Sequence, residues 1–361
     1  MTLRVLVVGA RGIPNVEGGA EKNAEKIFPL MVRKGAEVAV LCLSGATELD
    51  EFAGVKLPRM PRLNVLGTDK LAYYAYAPWY ALRHRPNVVH FQGLGSAILL
   101  WLYRLAGVRT VVRYGSADYL VGKWGLLGRA GFLWAEWQLR PADRVIAVTP
   151  ALQQRLAARG ITSNVVVIPN GVDPAEPPAD TDNLDRYDLH GRPFALAVGR
   201  VTSQKNFALL IEAFHLARRR GARLERLVIV GGLDDRPYVE ALKPLVDADV
   251  ILTGRLPRGS FQDLITHCTV FVNSSLHEGH SNAVMEAISY ERPVIISDIP
   301  EDRDLPLNEY HFFRSGDVEH LAARLIDAGE NPAAFATDRS IFPTWPEIAE
   351  ATYALYDARF A

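Results

Sequence analysis

Runs of aliphatic and β-branched residues that end in glycine recur along this 361-residue chain, and stretches with helical periodicity separate them. The first run, residues 3–8, ends at Gly9, and later runs end at Gly199, Gly231 and Gly254. Continuous apolar runs of this kind are typical of parallel strands that are buried on both faces. Because strands alternate with helices, the sequence predicts an α/β fold built on doubly wound parallel sheets.

The alternation occurs twice, and the chain is about twice as long as a typical domain. A stretch rich in Pro and Asp, without apolar periodicity, separates the two halves. We therefore predict two Rossmann-like domains. Their predicted boundaries are residues 1–173 for the N-terminal domain, 174–192 for the linker, 193–343 for the C-terminal domain and 344–361 for a final helix.

The composition, 49% hydrophobic and 22% charged, is that of an ordinary globular protein, which excludes the disordered and membrane-embedded classes. The two cysteines, Cys42 and Cys268, lie in apolar runs, so we expect buried thiols in a reducing compartment. The first apolar run is too short for a signal peptide or a membrane span. We therefore expect a cytoplasmic protein.

The net charge of −1 conceals an asymmetry between the two halves of the chain. Residues 1–170 contain 21 Lys and Arg against 11 Asp and Glu, whereas the rest contains 19 against 30. The basic half indicates an anionic partner, either a membrane surface or a phosphorylated acceptor. The alternative is ordinary solvated surface charge.

Two carboxylates, Glu278 and Glu286, lie at either end of a predicted strand-loop-helix turn. The apolar run at 268–272 predicts the strand, and Gly279 permits a sharp turn. Ser281 or Asn282 can then cap a helix that starts near Ala283. The candidate catalytic and donor-binding residues in this turn are Glu278, Gly279, His280, Ser281, Asn282, Ala283 and Glu286.

The free N–H groups of such a helix terminus suit a phosphate, and Glu286 can accept hydrogen bonds from hydroxyls. Arg200 and Lys205, just after the strand that ends at Gly199, can offer two cations to one diphosphate. Together these features predict a nucleotide-sugar site. The alternative is that the Ser-Asn pair only caps a helix and that the charged side chains are solvated.

The glycine loop at 9–19, which follows the first strand, lets backbone amides approach a phosphate closely. It lacks the G-x-G-x-x-G spacing of a dinucleotide fingerprint, which disfavours a nicotinamide oxidoreductase. No carboxylate pair in a D-x-D arrangement flanked by strand signals is evident; Asp234 with Asp235, and Asp302 with Asp304, are interpreted as loop residues. We therefore predict no metal ligands and no cofactor apart from the nucleotide-sugar substrate.

Five motifs resemble, in order and spacing, those of the retaining glycosyltransferase family 4. They are the segment 199–206, the segment 228–232, Gly254 with Arg255, the E-x7-E spacing of Glu278 and Glu286, and the interdomain segment 167–173. The opening segment 11–19 and the segment 118–124 also resemble the rhamnosyltransferase-like branch of bacterial surface-polysaccharide enzymes.

The resemblance implies a GT-B fold, in which two Rossmann-like domains face a cleft and the last helix crosses back to the first domain. It also implies roles for the matching residues. Arg200 and Lys205 would hold the donor diphosphate, Glu286 the ribose, and Glu278 with the amides of 279–282 the sugar, while Ala283 is a further donor-binding position. The remaining donor-binding positions are Gly18, Gly19, Gly199, Gly231, Gly254 and Arg255.

Many members of this family present a histidine to the transferred sugar from the N-terminal domain, but this chain has Tyr114-Gly-Ser-Ala-Asp118 there. Asp118 is our candidate for that role, and capping a helix is its equally weighted alternative. His90 is interpreted as a packed or hinge-side residue, and His280 as a residue whose backbone matters more than its ring.

The predicted activity is retaining, metal-independent hexosyl transfer from a nucleotide-diphosphate sugar to an acceptor hydroxyl, in bacterial cell-surface polysaccharide or glycolipid synthesis. The acceptor would be a sugar, a lipid-linked molecule or a phosphorylated molecule, and no nucleic-acid partner is expected. The alternatives are a sugar phosphorylase or nucleotide-sugar epimerase of the same architecture, and a non-catalytic nucleotide-sugar binding protein.

Residues 70–85 gather five aromatic rings beside three Lys and Arg residues. This is the composition of an interfacial segment, which would place the protein peripherally on the anionic inner face of the plasma membrane. The alternative is that the tyrosines pack a helix onto the sheet.

Overall fold

The computed structural model describes residues 2–61, 69–117, 125–178, 180–257 and 260–356. The chain forms two compact units. Unit 1 contains Met1–Gly171 and Pro343–Ala361, and unit 2 contains Val172–Phe342. Each unit is a parallel-sheet α/β structure, in agreement with the predicted fold class.

The main sheet of unit 1 has eight strands in the order β10-β9-β8-β7-β1-β2-β5-β4, and only the β4–β5 pair is antiparallel among the described pairings. The strands of unit 1 are β1 (Arg4–Val8), β2 (Glu37–Val40), β3 (Cys42–Leu43), β4 (Glu51–Phe52), β5 (Val55–Lys56), β6 (Arg59–Met60), β7 (Val88–Gln92), β8 (Arg109–Tyr114), β9 (Arg144–Ala147) and β10 (Val165–Val167). Strands β3 and β6 form a separate two-stranded sheet. The strand order reverses between β1 and β7, which is the point where ligands collect in such sheets.

Helices cover both faces of this sheet. They are α1 (Gly19–Arg33), α2 (Lys70–His84), α3 (Leu100–Leu105), which continues a 3₁₀ turn at Leu94–Leu99, α4 (Leu126–Trp137) and α5 (Pro150–Ala158). One core contains side chains from α2 to α5, and the core on the opposite face contains side chains from α1. This two-sided cover explains why the strands read as continuous apolar runs.

Unit 2 has a six-stranded, all-parallel sheet in the order β13-β12-β11-β14-β15-β16. Its strands are β11 (Phe194–Val198), β12 (Arg226–Val230), β13 (Val250–Gly254), β14 (Val270–Asn273), β15 (Val294–Ser297) and β16 (Phe312–Phe313). Its helices are α6 (Asp182–Arg186), α7 (Phe207–Arg219), α8 (Arg236–Leu242), α9 (Gln262–His267), α10 (Asn282–Ser289), α11 (Pro300–Arg303) and α12 (Val318–Glu330). The strand order reverses between β11 and β14, so the motifs after these two strands lie side by side.

The segment predicted as a linker, 174–192, lies within unit 2. It carries α6, and Leu184 and Leu189 are buried in the core beneath α10. The Asn183 backbone N–H also donates to the buried Asp263 carboxylate at 2.8 Å. Part of this polar stretch is therefore an integral piece of the second unit.

The last helix, α13 (Trp345–Tyr356), belongs to unit 1 and packs against α1. Trp345, Ile348 and Tyr356 are buried in the same core as α1. Helix α13 therefore completes the core of the first unit.

The segment predicted as interfacial forms α2, and most of its aromatic rings pack against unit 1. Tyr73 is buried and its hydroxyl donates to the Leu41 carbonyl at 2.8 Å, and the other three tyrosines are half-buried against the core. Only Trp79 among the five rings is exposed. The packing alternative is therefore correct for the tyrosines.

Both cysteines are free and buried, as predicted. Within the described ranges, no helix is long and apolar enough to cross a membrane.

Candidate active site

Backbone hydrogen bonds from glycines connect the carboxyl ends of the central strands of unit 2. The Gly199 N–H donates to the Val230 carbonyl at 2.9 Å, and the Gly231 N–H donates to the Gly254 carbonyl at 3.0 Å. A Cβ atom at Gly231 would lie 1.8 Å from the Gly199 carbonyl oxygen. Gly231 is therefore required for this close approach of two strand ends.

Lys205 ends a 3₁₀ turn, Ser203–Lys205, and its side chain folds back over the end of β11. Its Cε lies 2.8 Å from the position that a Cβ of Gly199 would take. The Lys205 ammonium forms an ion pair with Glu278 Oε1, although 73 residues separate them in sequence. Both side chains are largely but not completely buried, with 17% and 11% exposure, so a ligand can reach the pair.

A line of buried polar groups supports Glu278 from behind. Ser275 Oγ lies 2.7 Å from Glu278 Oε1 and 2.8 Å from Asn273 Oδ1, and it can donate its single proton to only one of them. Asn273 Nδ2 donates to Asp302 Oδ2 at 3.3 Å. Burial, and next the charge of Glu278, hold the pKa of Asp302 well above its ordinary value. The surroundings of Asp302 therefore favour its neutral form more than water does.

The loop that carries Glu278 is fixed to the turn that carries Lys205. The Leu276 N–H donates to the Gln204 carbonyl at 2.9 Å, and Gln204 Nε2 donates to the His277 carbonyl at 2.8 Å. Ser274 Oγ donates to the Lys205 carbonyl at 2.8 Å. The two motifs that sequence placed far apart therefore form one rigid piece.

Helix α10 begins at Asn282, one residue before the predicted start, and Ser281 is its N-cap. Ser281 Oγ accepts a hydrogen bond from the Val284 N–H at 3.5 Å. Gly279 is buried, and His280 and Ala283 are half-buried. The positive end of the α10 dipole therefore begins directly after the Glu278 loop.

Glu286 lies in the second turn of α10 and is half-buried. Burial, and next the charge of Glu286, raise the pKa of the Tyr290 hydroxyl above its ordinary value. The two residues lie one helical turn apart, and the Tyr290 N–H donates to the Glu286 carbonyl at 3.3 Å.

Two arginines border this edge of the sheet. Arg200 is exposed and makes no side-chain hydrogen bond or ion pair with any residue in the described part of the chain. Arg255 pairs with Asp234 at 2.8 Å, and its guanidinium lies 3.0 Å from the position of a Cβ at Gly232. One cation is thus open to an anionic ligand, whereas Lys205 and Arg255 already have carboxylate partners.

In unit 1, α1 starts at Gly19 with Gly18 as its N-cap residue. The preceding loop is held by Arg11, whose Nε donates to Glu21 Oε1 at 2.8 Å and whose Nη2 donates to the Glu17 carbonyl. The predicted loop-to-helix turn is therefore present. Asp118 and the rest of 118–124 lie outside the described residues.

Sequence reasoning missed a buried polar cluster at the carboxyl ends of β7 and β8. Arg113 is only 4% exposed, and its Nη2 donates to Asn170 Oδ1 at 2.7 Å and to the Pro169 carbonyl at 3.1 Å. His90 Nδ1 lies 2.5 Å from the Tyr356 hydroxyl oxygen. The sequence did contain a signal for this cluster, because one polar residue, His90 or Arg113, interrupts each of these two apolar strands.

Burial determines the charge of this cluster. It lowers the pKa of His90 to about 3, with Arg113 as the second cause, and lowers the pKa of Arg113 to about 10. His90 is therefore neutral and structural, in agreement with its interpretation as a packed residue.

Within the described ranges, no group of three or more His, Cys, Asp or Glu side chains could hold a metal ion. Of the carboxylates considered at the outset, Asp234 pairs with Arg255 and Asp302 is buried against Asn273. Metal independence stays a prediction.

Comparison with known proteins gives a consistent result. The sequence model of Glycosyltransferase Family 4 matches residues 17–176, and that of Glycosyl transferases group 1 matches residues 192–331. The chain is 27% identical to the GDP-mannose-dependent alpha-mannosyltransferase of Mycobacterium tuberculosis (strain CDC 1551 / Oshkosh), over 99% of this chain and 97% of that protein.

Two solved structures share the fold. Sucrose-phosphate synthase from Thermosynechococcus elongatus superposes with a TM-score of 0.80 at 18% identity, over 99% of this chain and 98% of that one. Anabaena HepE in complex with UDP and glucose gives 0.79 at 18% identity, over 99% of this chain and 100% of that one.

The two parallel-sheet units and their likeness to these structures define the GT-B fold. With both sequence models matched along most of its length, the chain belongs to glycosyltransferase family 4. The predicted fold, family and glycosyltransferase class are thus confirmed. The narrower resemblance to the rhamnosyltransferase-like branch stays a prediction.

Proposed function

We propose that this enzyme transfers a hexose from a nucleoside-diphosphate sugar to an acceptor hydroxyl with retention of anomeric configuration. The observation that carries the proposal is the carboxyl edge of unit 2, where Arg200, Lys205 and the α10 terminus follow neighbouring strands. UDP and glucose occupy the similar HepE, and GDP-mannose is the named donor of the similar mannosyltransferase. UDP and GDP-mannose both contain a nucleoside diphosphate.

The donor diphosphate brings negative charge to Lys205, whose ammonium is already paired with Glu278. Arg200 is exposed and can bind a phosphate oxygen first. Lys205 then divides its three N–H donors between the phosphate and Glu278. Glu278 is kept in place during this exchange by Ser275.

Leaving-group stabilisation is the main requirement of the reaction. The bond between the anomeric carbon and the diphosphate oxygen breaks, and negative charge develops on the departing diphosphate. Arg200, Lys205 and the N-terminal amides of α10 neutralise that charge, so the reaction proceeds without a metal ion. The acceptor oxygen bonds to the anomeric carbon on the face that the diphosphate leaves, and its proton passes to the departing phosphate.

The remaining residues orient the donor. We propose that Glu286 accepts hydrogen bonds from the ribose, that Glu278 and the amides after Gly279 contact the sugar, and that Arg255 borders the base. In unit 1, the amides of Gly18 and Gly19 would approach the phosphates, and Asp118 is the candidate for contact with the sugar.

The acceptor is proposed to be a sugar, a lipid-linked molecule or a phosphorylated molecule, within bacterial surface-polysaccharide or glycolipid synthesis. The excess of Lys and Arg in residues 1–170, 21 against 11 acidic residues, supports an anionic acceptor or membrane partner. The site of action would be the inner face of the plasma membrane.

A panel of nucleoside-diphosphate sugars tests the donor. The productive donor raises the unfolding temperature, because a ligand that binds only the native state stabilises it. The anomeric configuration of the product is then read by NMR from the coupling constant of the anomeric proton. An inverted product, or a product that forms only with inorganic phosphate as acceptor, would contradict the proposal; the second result would favour a phosphorylase.

A further inference from the structure

Exposed large apolar side chains are concentrated on the outer helices of one face of unit 1. Ten of the fifteen in the described residues lie on α2, α3 and α4, whose inner sides pack on the same core. They are Leu71, Trp79, Leu82, Trp101, Leu105, Leu126, Leu127, Leu133, Trp134 and Trp137. A soluble surface usually scatters such residues singly, so this concentration indicates a binding surface.

Helix α4 carries the densest part of this surface. Leu126 and Leu127 are 86% and 91% exposed, and Leu133, Trp134 and Trp137 are also exposed. At 3.6 residues per turn, these five residues fall within an arc of about 120°. We call this arc the α4 stripe. Its helix therefore has one apolar side in the core and another in solvent.

The two tryptophans of the α4 stripe are held in place by contacts within unit 1. The rings of Trp134 and Trp137 stack with their centroids 5.2 Å apart. Trp134 Nε1 donates to the Ile98 carbonyl at 3.0 Å, which holds the indole against the turn before α3. The ring positions are therefore fixed while one face stays open, so little conformational freedom is lost when this face is covered.

The helices that carry the exposed apolar side chains are poor in acidic residues. The sequences of α2, α3 and α4 contain one carboxylate, Glu136, which is buried and accepts a hydrogen bond from the Tyr114 hydroxyl at 2.9 Å. Arg83 and Arg129 are exposed on α2 and α4. Arg129 lies about 40° beyond the edge of the α4 stripe at 100° per residue. The surface is apolar with a cationic border.

From this combination we infer that the α4 stripe inserts into the interface of an anionic lipid bilayer. Indole rings favour the level of the lipid headgroups, where one part of the ring is apolar and the N–H is hydrogen-bonded. Leucines enter the acyl boundary, and arginines bind lipid phosphates. The inference rests on the proposed function and deepens it, because it assigns the membrane contact to α4 instead of the tyrosines of α2.

A second copy of the chain fits this surface less well. In a two-fold contact the same patch meets itself, so Arg129 of one copy would approach cationic side chains of the other without a compensating carboxylate. An anionic bilayer supplies the opposite charge and the apolar layer together.

The test is sedimentation of the full chain with vesicles of phosphatidylcholine alone or mixed with phosphatidylglycerol. The variant Leu126→Ser/Leu127→Ser removes two side chains that hardly touch the fold, so its folding is not at issue. A second variant, Trp134→Ser/Trp137→Ser, removes the stacked rings. The matched control is Tyr310→Ser/Ile341→Ser, which removes two exposed apolar side chains of unit 2.

We expect the unaltered chain and the control to sediment with anionic vesicles at low salt, to be released as salt rises, and to bind neutral vesicles weakly. Each α4 variant should lower the partition coefficient by about tenfold or more. Equal partition of the variants and the control would overturn the inference. So would light scattering that shows a dimer which the α4 variants dissociate.

The thermal shift with a nucleoside-diphosphate sugar, measured on the same samples, separates this inference from the proposed function. A chain that responds to the donor but ignores anionic vesicles refutes the α4 inference alone. A chain that binds vesicles through α4 but responds to no donor refutes the proposed function alone.

Discussion

The carboxyl edges of the two sheets carry similar polar side chains but bury them to different degrees. In unit 2, Arg200 is exposed and the Lys205–Glu278 pair is reachable. In unit 1, His90 and Arg113 are buried, with 1% and 4% exposure. Both edges belong to parallel strands, and burial separates a ligand site from a structural cluster.

The partners of these side chains show the same difference. Arg113 bonds to Asn170 and to the Pro169 carbonyl, and His90 to the Tyr356 hydroxyl, so unit 1 uses its polar groups to hold its own returning segments. Unit 2 leaves Arg200 open and supports Glu278 from behind through Ser275. A cation in a parallel-sheet edge is thus a ligand candidate only where its charge can reach solvent.

The largest expected effect concerns the open edge. Arg200→Ala or Lys205→Ala should lower kcat/KM by about two orders of magnitude or more, because each removes a cation from the leaving diphosphate. Steady-state transfer assays measure the loss. The matched control is Arg219→Ala, an exposed arginine at the end of α7, which should transfer at the normal rate. Normal activity in either site variant would show that the open edge of unit 2 is not the site of the leaving diphosphate.

The closed edge should respond in stability and not in donor affinity. Arg113→Ala removes one hydrogen-bond donor from Asn170 and one from the Pro169 carbonyl and opens a cavity, so we expect a loss of about 2 kcal/mol in the free energy of unfolding. Urea titration measures the loss, and the donor KM should stay unchanged. Arg4→Ala, an exposed arginine on the same sheet, is the control and should change stability by less than about 0.5 kcal/mol.

The two edges should also respond to pH with opposite sign. Burial lowers the pKa of His90 to about 3, so the unfolded chain takes up this proton first and unit 1 loses stability as pH falls below roughly 6.5. Burial raises the pKa of Asp302, so folded unit 2 keeps a proton that the unfolded chain releases above roughly 4, and unit 2 gains stability as pH falls toward that value.

Hydrogen exchange measured unit by unit between roughly pH 4.5 and 6.5 checks the two slopes, each at most about 1.4 kcal/mol per pH unit. His90→Gln should flatten the slope of unit 1, and Asp302→Asn that of unit 2. Slopes of the same sign in both units, unchanged in these variants, would contradict the assignment of His90 and Asp302.

The smallest expected effect is that of a chelator. Since Arg200, Lys205 and α10 supply the positive charge at the open edge, transfer should proceed at an unchanged rate in excess EDTA. Loss of activity that Mg²⁺ or Mn²⁺ restores would mean that the open edge depends on a metal ion as well as on its side chains.

Sequence alone predicted the features that local pattern determines. The glycine-ended strands and the start of α10 follow from apolar runs and from the capping preference of Ser281, and the observed start differs by one residue. The positions of Arg200 and Glu278 at strand ends followed from the same runs.

The features that sequence missed depend on tertiary contacts. Lys205 pairs with Glu278, which is 73 residues away in sequence, and a periodic pattern of residues cannot predict such a pair. Helix α6 has five residues, too few to show an amphipathic pattern, so the sequence could not predict that Leu184 packs it into the core of unit 2. The tyrosines of α2 have interfacial composition, yet Tyr73 is buried because the sheet needs cover on that face.

The return of the chain to unit 1 has a consequence for biosynthesis. In sequence, unit 2 comes between the two segments of unit 1, and the core beneath α1 includes Trp345, Ile348 and Tyr356. A ribosome makes these residues after the whole of unit 2, so unit 2 can fold while unit 1 still lacks the helix that covers one side of its core. Unit 1 is therefore begun before unit 2 but matures after it, and a nascent chain that lacks α13 exposes the apolar surface of α1 to chaperones and proteases.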